Sequence, residues 1–133
     1  TQALDHEAAS SFVLTVRVTD SAGLSSQNEV TVTVGDVNEA PVARADAVTV
    51  DEDATSGNLW SLLLGNDSDP DDGDALTITS VGTSGTLGSL VFDAATQTLR
   101  YVADNDAFDA LAAGASAVDS FTYTVADKNG LTS

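Results

Sequence analysis

LTVRVTDSAGLSS (residues 14–26) lies over FTYTVADKNGLTS (residues 121–133) without a gap, at a spacing of 107. In each copy an alternating strand runs into an Asp-x-x-Gly turn. Asp20 meets Asp127, Gly23 meets Gly130, Leu24 meets Leu131 and Ser26 meets Ser133. A period of roughly 100 residues is that of a bead-like domain, since most solenoid repeats are shorter. After the first copy come the strand NEVTVTV (28–34) and the acidic run VGDVNEAP (34–41), whereas the second copy stands at the end of the chain. Residues 1–36 therefore read as the last two strands of one repeat and 37–45 as an acidic linker. Residues 46–133 read as the next repeat, lacking its final strand. Thr1 is not an initiator methionine, and the start reads as a cut from something longer.

Working outward, period-two patterning dominates the second unit. AVTVD (47–51), ALTITSV (75–81), GSLVFD (88–93), QTLRYVA (97–103) and SFTYTVA (120–126) are predicted strands. Phe121, Tyr123 and Val125 share a face, as do Leu99 with Tyr101 and Leu90 with Phe92. DAATQ (93–97) is a hairpin connection, and VGTSGTLG (81–88) is a glycine-rich turn. DAFDALAAG (106–114) has helical spacing through Phe108 and Leu111 and is expected as one or two turns closed by Gly114. NLWSLLL (58–64) fits either a buried strand or a short turn. Many short strands joined by polar turns predict an all-β chain forming a β-sandwich.

The 133 residues carry 21 acidic and four basic side chains, a formal net charge of −17, with 42% apolar content. The apolar fraction is enough for a core. The charge repels nucleic acid and anionic membranes and works against compaction until something neutralises it. A hard divalent cation does that best, and calcium tolerates irregular oxygen cages. Cysteine is absent, which excludes disulfides, thiolate zinc sites and thiol nucleophiles. No apolar run approaches the length of a membrane span.

Strand direction tells where the carboxylates fall. Asp5 and Glu7 precede the strand ending at Thr19, and Asp20 follows it, so they occupy opposite ends of the first bead. The strand 28–34 runs back and delivers Asp36, Asn38 and Glu39 to the end holding Asp5 and Glu7. In the next bead Asp127 ends its strand, and the loop GNDSDPDDGD (65–74), with Asp67 and Asp69, is expected at the same rim. These eight residues are the candidate metal ligands, with enough oxygens for one to three calcium spheres.

LDHE (4–7), the strand ending in VTD (18–20) and DVNEAP (36–41) resemble the last third of a cadherin repeat. VTVDEDAT, LLGNDSDPDDGDALTITSV, LRYVADND and VDSFTYTVADKNGLTS resemble the bacterial VCBS or cadherin-like repeats of very large secreted adhesins of the RTX type. The resemblance implies a Greek-key sandwich of cadherin or immunoglobulin type. It also implies calcium ligation between beads by Asp5, Glu7, Asp36, Asn38, Glu39, Asp67 and Asp69, with Asp127 matching a later aspartate of the upper rim. The linker departs from the pattern: Glu39-Ala40-Pro41 stands where cadherins usually carry Asp-Asn and one more residue before proline.

Simpler readings stand beside this one. Asp71, Asp72 and Asp74 read as solvated turn residues. The loop at Asp67 is not an EF-hand, because the twelfth position is Ile78. His6, the only histidine, reads as an exposed spacer and builds no zinc site alone. No Gly-x-Ser-x-Gly elbow supports a hydrolase, and no enzyme is expected. Trp60, Tyr101 and Tyr123 read as core. The expected function is a calcium-stiffened spacer at the cell surface, with neighbouring repeats as partners. Alternatives are a ligand- or carbohydrate-binding sandwich and self-cleavage at Asp69-Pro70. The strand at 121–126 is expected to be an unpaired edge that residues 28–35 fill in cis or by a swap.

Overall fold

The computed structural model describes residues 4–133. The chain divides into two compact units, one ending at Asn38 and the other running from Glu39 to Ser133. The described residues are mostly strand and turn, with two single-turn helices.

The first unit is one hairpin. Strands β1 (Ser11–Thr19) and β2 (Ser25–Thr33) pair antiparallel, from Ser11 opposite Thr33 to Thr19 opposite Ser25. Alternation puts Phe12, Leu14, Val16 and Val18 on one face, beside Val32 and Val30. Every residue of both strands is exposed. Asp20 sets the turn: its Oδ1 accepts from the N–H groups of Ala22 (2.9 Å) and Leu24 (2.8 Å), and Gly23 takes the positive φ of +86° that the reversal requires. His6 is not a mere spacer. Half-buried, its Nδ1–H donates to the Val34 carbonyl at 2.9 Å, tying the chain entering β1 to the chain leaving β2.

The second unit contains helix α1 (Trp60–Leu63), strands β3 (Thr77–Gly82), β4 (Ser89–Asp93) and β5 (Thr98–Val102), helix α2 (Asp106–Asp109) and strand β6 (Thr122–Ala126). β4 and β5 form the expected hairpin, and β6 pairs antiparallel with β3 across a register break between Ile78 and Ser80. NLWSLLL resolves as a helical turn. Trp60 and Leu63, three apart, face the core together, and Asn58 Oδ1 accepts from Trp60 N–H at 3.2 Å. Residues 47–51, predicted as a strand, join no ladder. Alternation alone did not secure them a strand partner.

The predicted open edge of β6 is partly closed. Beyond the Asp127 turn the chain folds back: Ala126 bridges Thr132, and Val125 and Ser133 exchange two N–H···O bonds of 3.0 Å. The outer edge of β5 is covered by residues 53–59 in a ladder made partly of side chains. Leu59 N–H donates to Leu99 O (2.7 Å) and Ser56 N–H to Tyr101 O (2.8 Å). Ser56 Oγ accepts from Tyr101 N–H (2.9 Å), and Asn58 Oδ1 accepts from Leu99 N–H (3.0 Å).

The core gathers Leu59, Trp60, Leu63, Ile78, Leu99, Tyr101, Ala103 and Phe108. Trp60 stacks on Phe92 at 6.1 Å and Tyr101 on Phe121 at 6.4 Å. Ile78, Leu99 and Val125 are fully buried, each worth about 1.5–3 kcal/mol of transfer. Two tyrosine hydroxyls end in carboxylates. Tyr101 donates to Asp119 at 2.5 Å, and Asp119 also accepts from the N–H groups of Leu87, Gly88 and Ser120. Burial and this carboxylate push the Tyr101 pKa up to about 12. Burial acts to raise Asp119, but its four donors outweigh that and hold it below the usual carboxylate range.

Candidate metal centre

The acidic loop 65–74 splits into a structural half and an electrostatic half. Asn66 and Asp67 belong to the first. Asp67 Oδ1 accepts from Arg44 N–H at 2.7 Å, and Val42 and Ser68 pair through their backbones. The Tyr123 hydroxyl donates to Asp46 Oδ2 at 2.8 Å and lies 3.2 Å from Asp67 Oδ2. Burial first, and then these acids, push the Tyr123 pKa well above its ordinary value. Asp67 thus fastens the chain near residue 44 to this loop.

The second half curls inward. Asp69 Oδ1 accepts from Asp71 N–H at 2.9 Å in an Asx-type turn, and Gly73, at φ +81°, returns the chain so that Asp74 faces Asp69. From the far end of β6, Asp127 comes to the same place. Its Oδ1 accepts from the N–H groups of Asn129 (2.8 Å), Gly130 (2.5 Å) and Leu131 (2.8 Å). Asp69, Asp74 and Asp127 each bring a carboxylate oxygen within 4.8 Å of the others.

Two observations make this more than a crowded turn. The Asp74 side chain has 0% exposure, and Asp127 is 5% exposed. Asp69 Oδ2 and Asp74 Oδ2 are buried without a hydrogen-bond partner. Buried carboxylate oxygens normally accept hydrogen bonds, and leaving one without a donor costs about 1–3 kcal/mol or more. Two carboxylates at this separation also repel by about 3.5 kcal/mol at an effective dielectric near 20. A calcium ion addresses both. Its ligands lie at about 2.3–2.6 Å, so two oxygens on one ion stand at most about 5 Å apart, a limit the cluster meets.

The sequence matches the family model of the bacterial cadherin-like domain over residues 38–133. The chain belongs to that family. No curated protein and no solved structure matches it. In this bacterial cadherin-like domain the acidic cluster has the donor set and spacing to hold a hard divalent ion.

The eight candidate ligands fall in different surroundings. Asp69 and Asp127 meet in the cluster, while Asp67 is engaged as a clasp. Asp5 caps its own turn, its Oδ1 accepting from Ala8 N–H at 2.9 Å. Within the first unit, Glu7 and Asp36, both exposed, bring carboxylate oxygens within 4.8 Å of each other, and Asn38 is half-buried. Within the second unit, Glu39 N–H donates to Asp71 Oδ2 at 2.9 Å. Asp74 and Asp71, expected as solvated turn residues, are not: the Asp74 side chain is enclosed, and Asp71 is 8% exposed. Gly73 was the available signal, because a glycine before Asp74 lets the loop reverse and turn that side chain inward. Lys128, which ion-pairs with Asp74, carried no signal beyond its place next to Asp127.

Proposed function

We propose that this chain is a calcium-binding structural repeat of a long extracellular bacterial protein, a sandwich bead acting as a spacer in an adhesin stalk. The orphaned, buried oxygens of Asp69 and Asp74 beside Asp127 carry the metal reading. The family match supports the cadherin-like class, and the net charge of −17 supplies the reason a cation is needed. For Asp5, Glu7, Asp36, Asn38 and Glu39 the support is the resemblance of LDHE and DVNEAP to cadherin motifs. Among the described residues no helix is long and apolar enough to cross a membrane. The proposed partners are neighbouring repeats of the same protein. A carbohydrate platform is not favoured, because the rings of Trp60, Tyr101 and Phe121 are stacked against the core.

Trp60, the sole tryptophan, is 5% exposed and reports the second unit. Its fluorescence melt should move up in calcium relative to chelator, and calcium at a hundred times its Kd should add about 2.7 kcal/mol. Identical melts in millimolar calcium and chelator would overturn the metal reading.

A further inference from the structure

We propose that the Lys128 ammonium is a tethered rival of the metal, occupying the acidic cluster until a divalent ion displaces it. The inference rests on the metal reading above and assigns a role to a side chain that reading does not use. Lys128 Nζ ion-pairs with Asp74 Oδ1, on the carboxylate whose other oxygen is buried and unpartnered. The lysine follows Asp127 directly, so the turn that delivers one acid to the cluster delivers the rival cation as well. Its charge is too small for the task. One ammonium faces three carboxylates, and the Oδ2 atoms of Asp69 and Asp74 still lack hydrogen-bond donors with it in place.

The lysine is also built to leave. Its side chain is 59% exposed while that of Asp74 is 0% exposed, so the ammonium reaches in from water and can swing back to it. A compact, strongly hydrated charge on a flexible, mostly exposed stem trades a carboxylate for water at small cost. A divalent ion bound to Asp74 would repel the ammonium and complete that departure. The copy of this turn in the first unit places Ser21 where Lys128 stands, so the turn itself does not need a lysine. Lys128 therefore acts as a threshold: the domain keeps a weak internal counter-ion when calcium is scarce and exchanges it for calcium when calcium is abundant.

Competition of this kind lowers apparent affinity by the fraction of time the site is open. A lysine in place about nine-tenths of the time weakens calcium binding about tenfold. Calorimetric calcium titration of the full chain should therefore show K128S binding about tenfold more tightly than wild type, with K128R near wild type. R100M, which removes an exposed charge from β5, should shift affinity less than about twofold. In wild type, the Lys128 ε-methylene NMR signal should move with calcium and saturate at the calorimetric Kd. This readout needs no substitution and survives any folding defect of K128S. If K128S binds within twofold of wild type, or the Lys128 signal stays still while calcium binds, the rivalry is overturned and the metal site stands. If wild type, K128S and K128R all take up no calcium at millimolar levels, the metal reading falls and the rivalry falls with it.

Discussion

The Asp20 turn and the Asp127 turn are built alike and placed in opposite surroundings. Thr19 pairs with Ser25 as Ala126 bridges Thr132, each partner displaced by 107. Asp20 N–H reaches Leu24 O at 2.9 Å, and Asp127 N–H reaches Leu131 O at 3.0 Å. Gly23 has φ +86° and Gly130 φ +94°. Yet Asp20 is exposed at the tip of a bare hairpin, while Asp127 is 5% exposed beside two other acids. The local chemistry of Asp-x-x-Gly determines the turn. What the aspartate does afterwards depends on the chain packed around it, and only the second copy has Asp69 and Asp74 for neighbours.

The strongest way to break the comparison is to remove one charge from each turn. Asn keeps the side-chain carbonyl that the turn needs. D127N should therefore keep the fold but lose most of the calcium stabilisation, about 2.7 kcal/mol at a hundred times Kd. D20N should leave the Trp60 melt and its calcium response unchanged. Equal responses would mean that burial of Asp127 is irrelevant to metal binding. Next come the strand positions before the turns. Val125 is 0% exposed and Val18, its match, is 68% exposed. In urea titrations followed at Trp60, V125A should cost about 2 kcal/mol and V18A under about 0.5 kcal/mol.

Smaller and equal effects should come from the two glycines. Neither Gly23 nor Gly130 has an atom within 4 Å of an added Cβ, so alanine meets only backbone strain, about 1 kcal/mol at each. Amide exchange read separately in the two hairpins would check that equality. The last prediction isolates the packed unit by pH. Both tyrosines lie after residue 39, and burial with Asp119 raises Tyr101 to about 12, above its ordinary value near 10. A raised pKa favours the neutral hydroxyl in the folded state. Its contribution is complete below about pH 10 and is lost as pH climbs towards 12. Tyrosine absorbance titration should show ionisation delayed in the folded chain, and normal ionisation once urea unfolds it.

Much of the fold was legible because period-two alternation and turn glycines are local signals. β4, β5 and β6 fall inside the runs expected for them, and β3 covers most of its run. The spacing of 107 anticipated both turns down to the aspartate that accepts and the glycine that reverses. Residues 47–51 alternate as well as β5 does yet join no ladder, since pairing depends on a neighbour that alternation cannot name. The cluster was half legible for the same reason. Asp69 and Asp127 could be assigned to one rim from strand direction. The enclosure of Asp74 depends on how a loop folds over itself, and the role of His6 on a carbonyl 28 residues away. Asp67 belongs to the same acidic run but is held by Arg44 and Tyr123, which no spacing within the loop announces.

The side-chain ladder along β5 has a consequence for unwanted strand pairing. Proteins made of many near-identical beads hold each β-edge at high local concentration beside others like it, the condition under which neighbouring repeats misjoin into polymers. By occupying the backbone groups of Leu99 and Tyr101 with Ser56, Asn58 and Leu59, the domain offers no template along that border. Two small polar residues thereby close that border of the domain to strand addition.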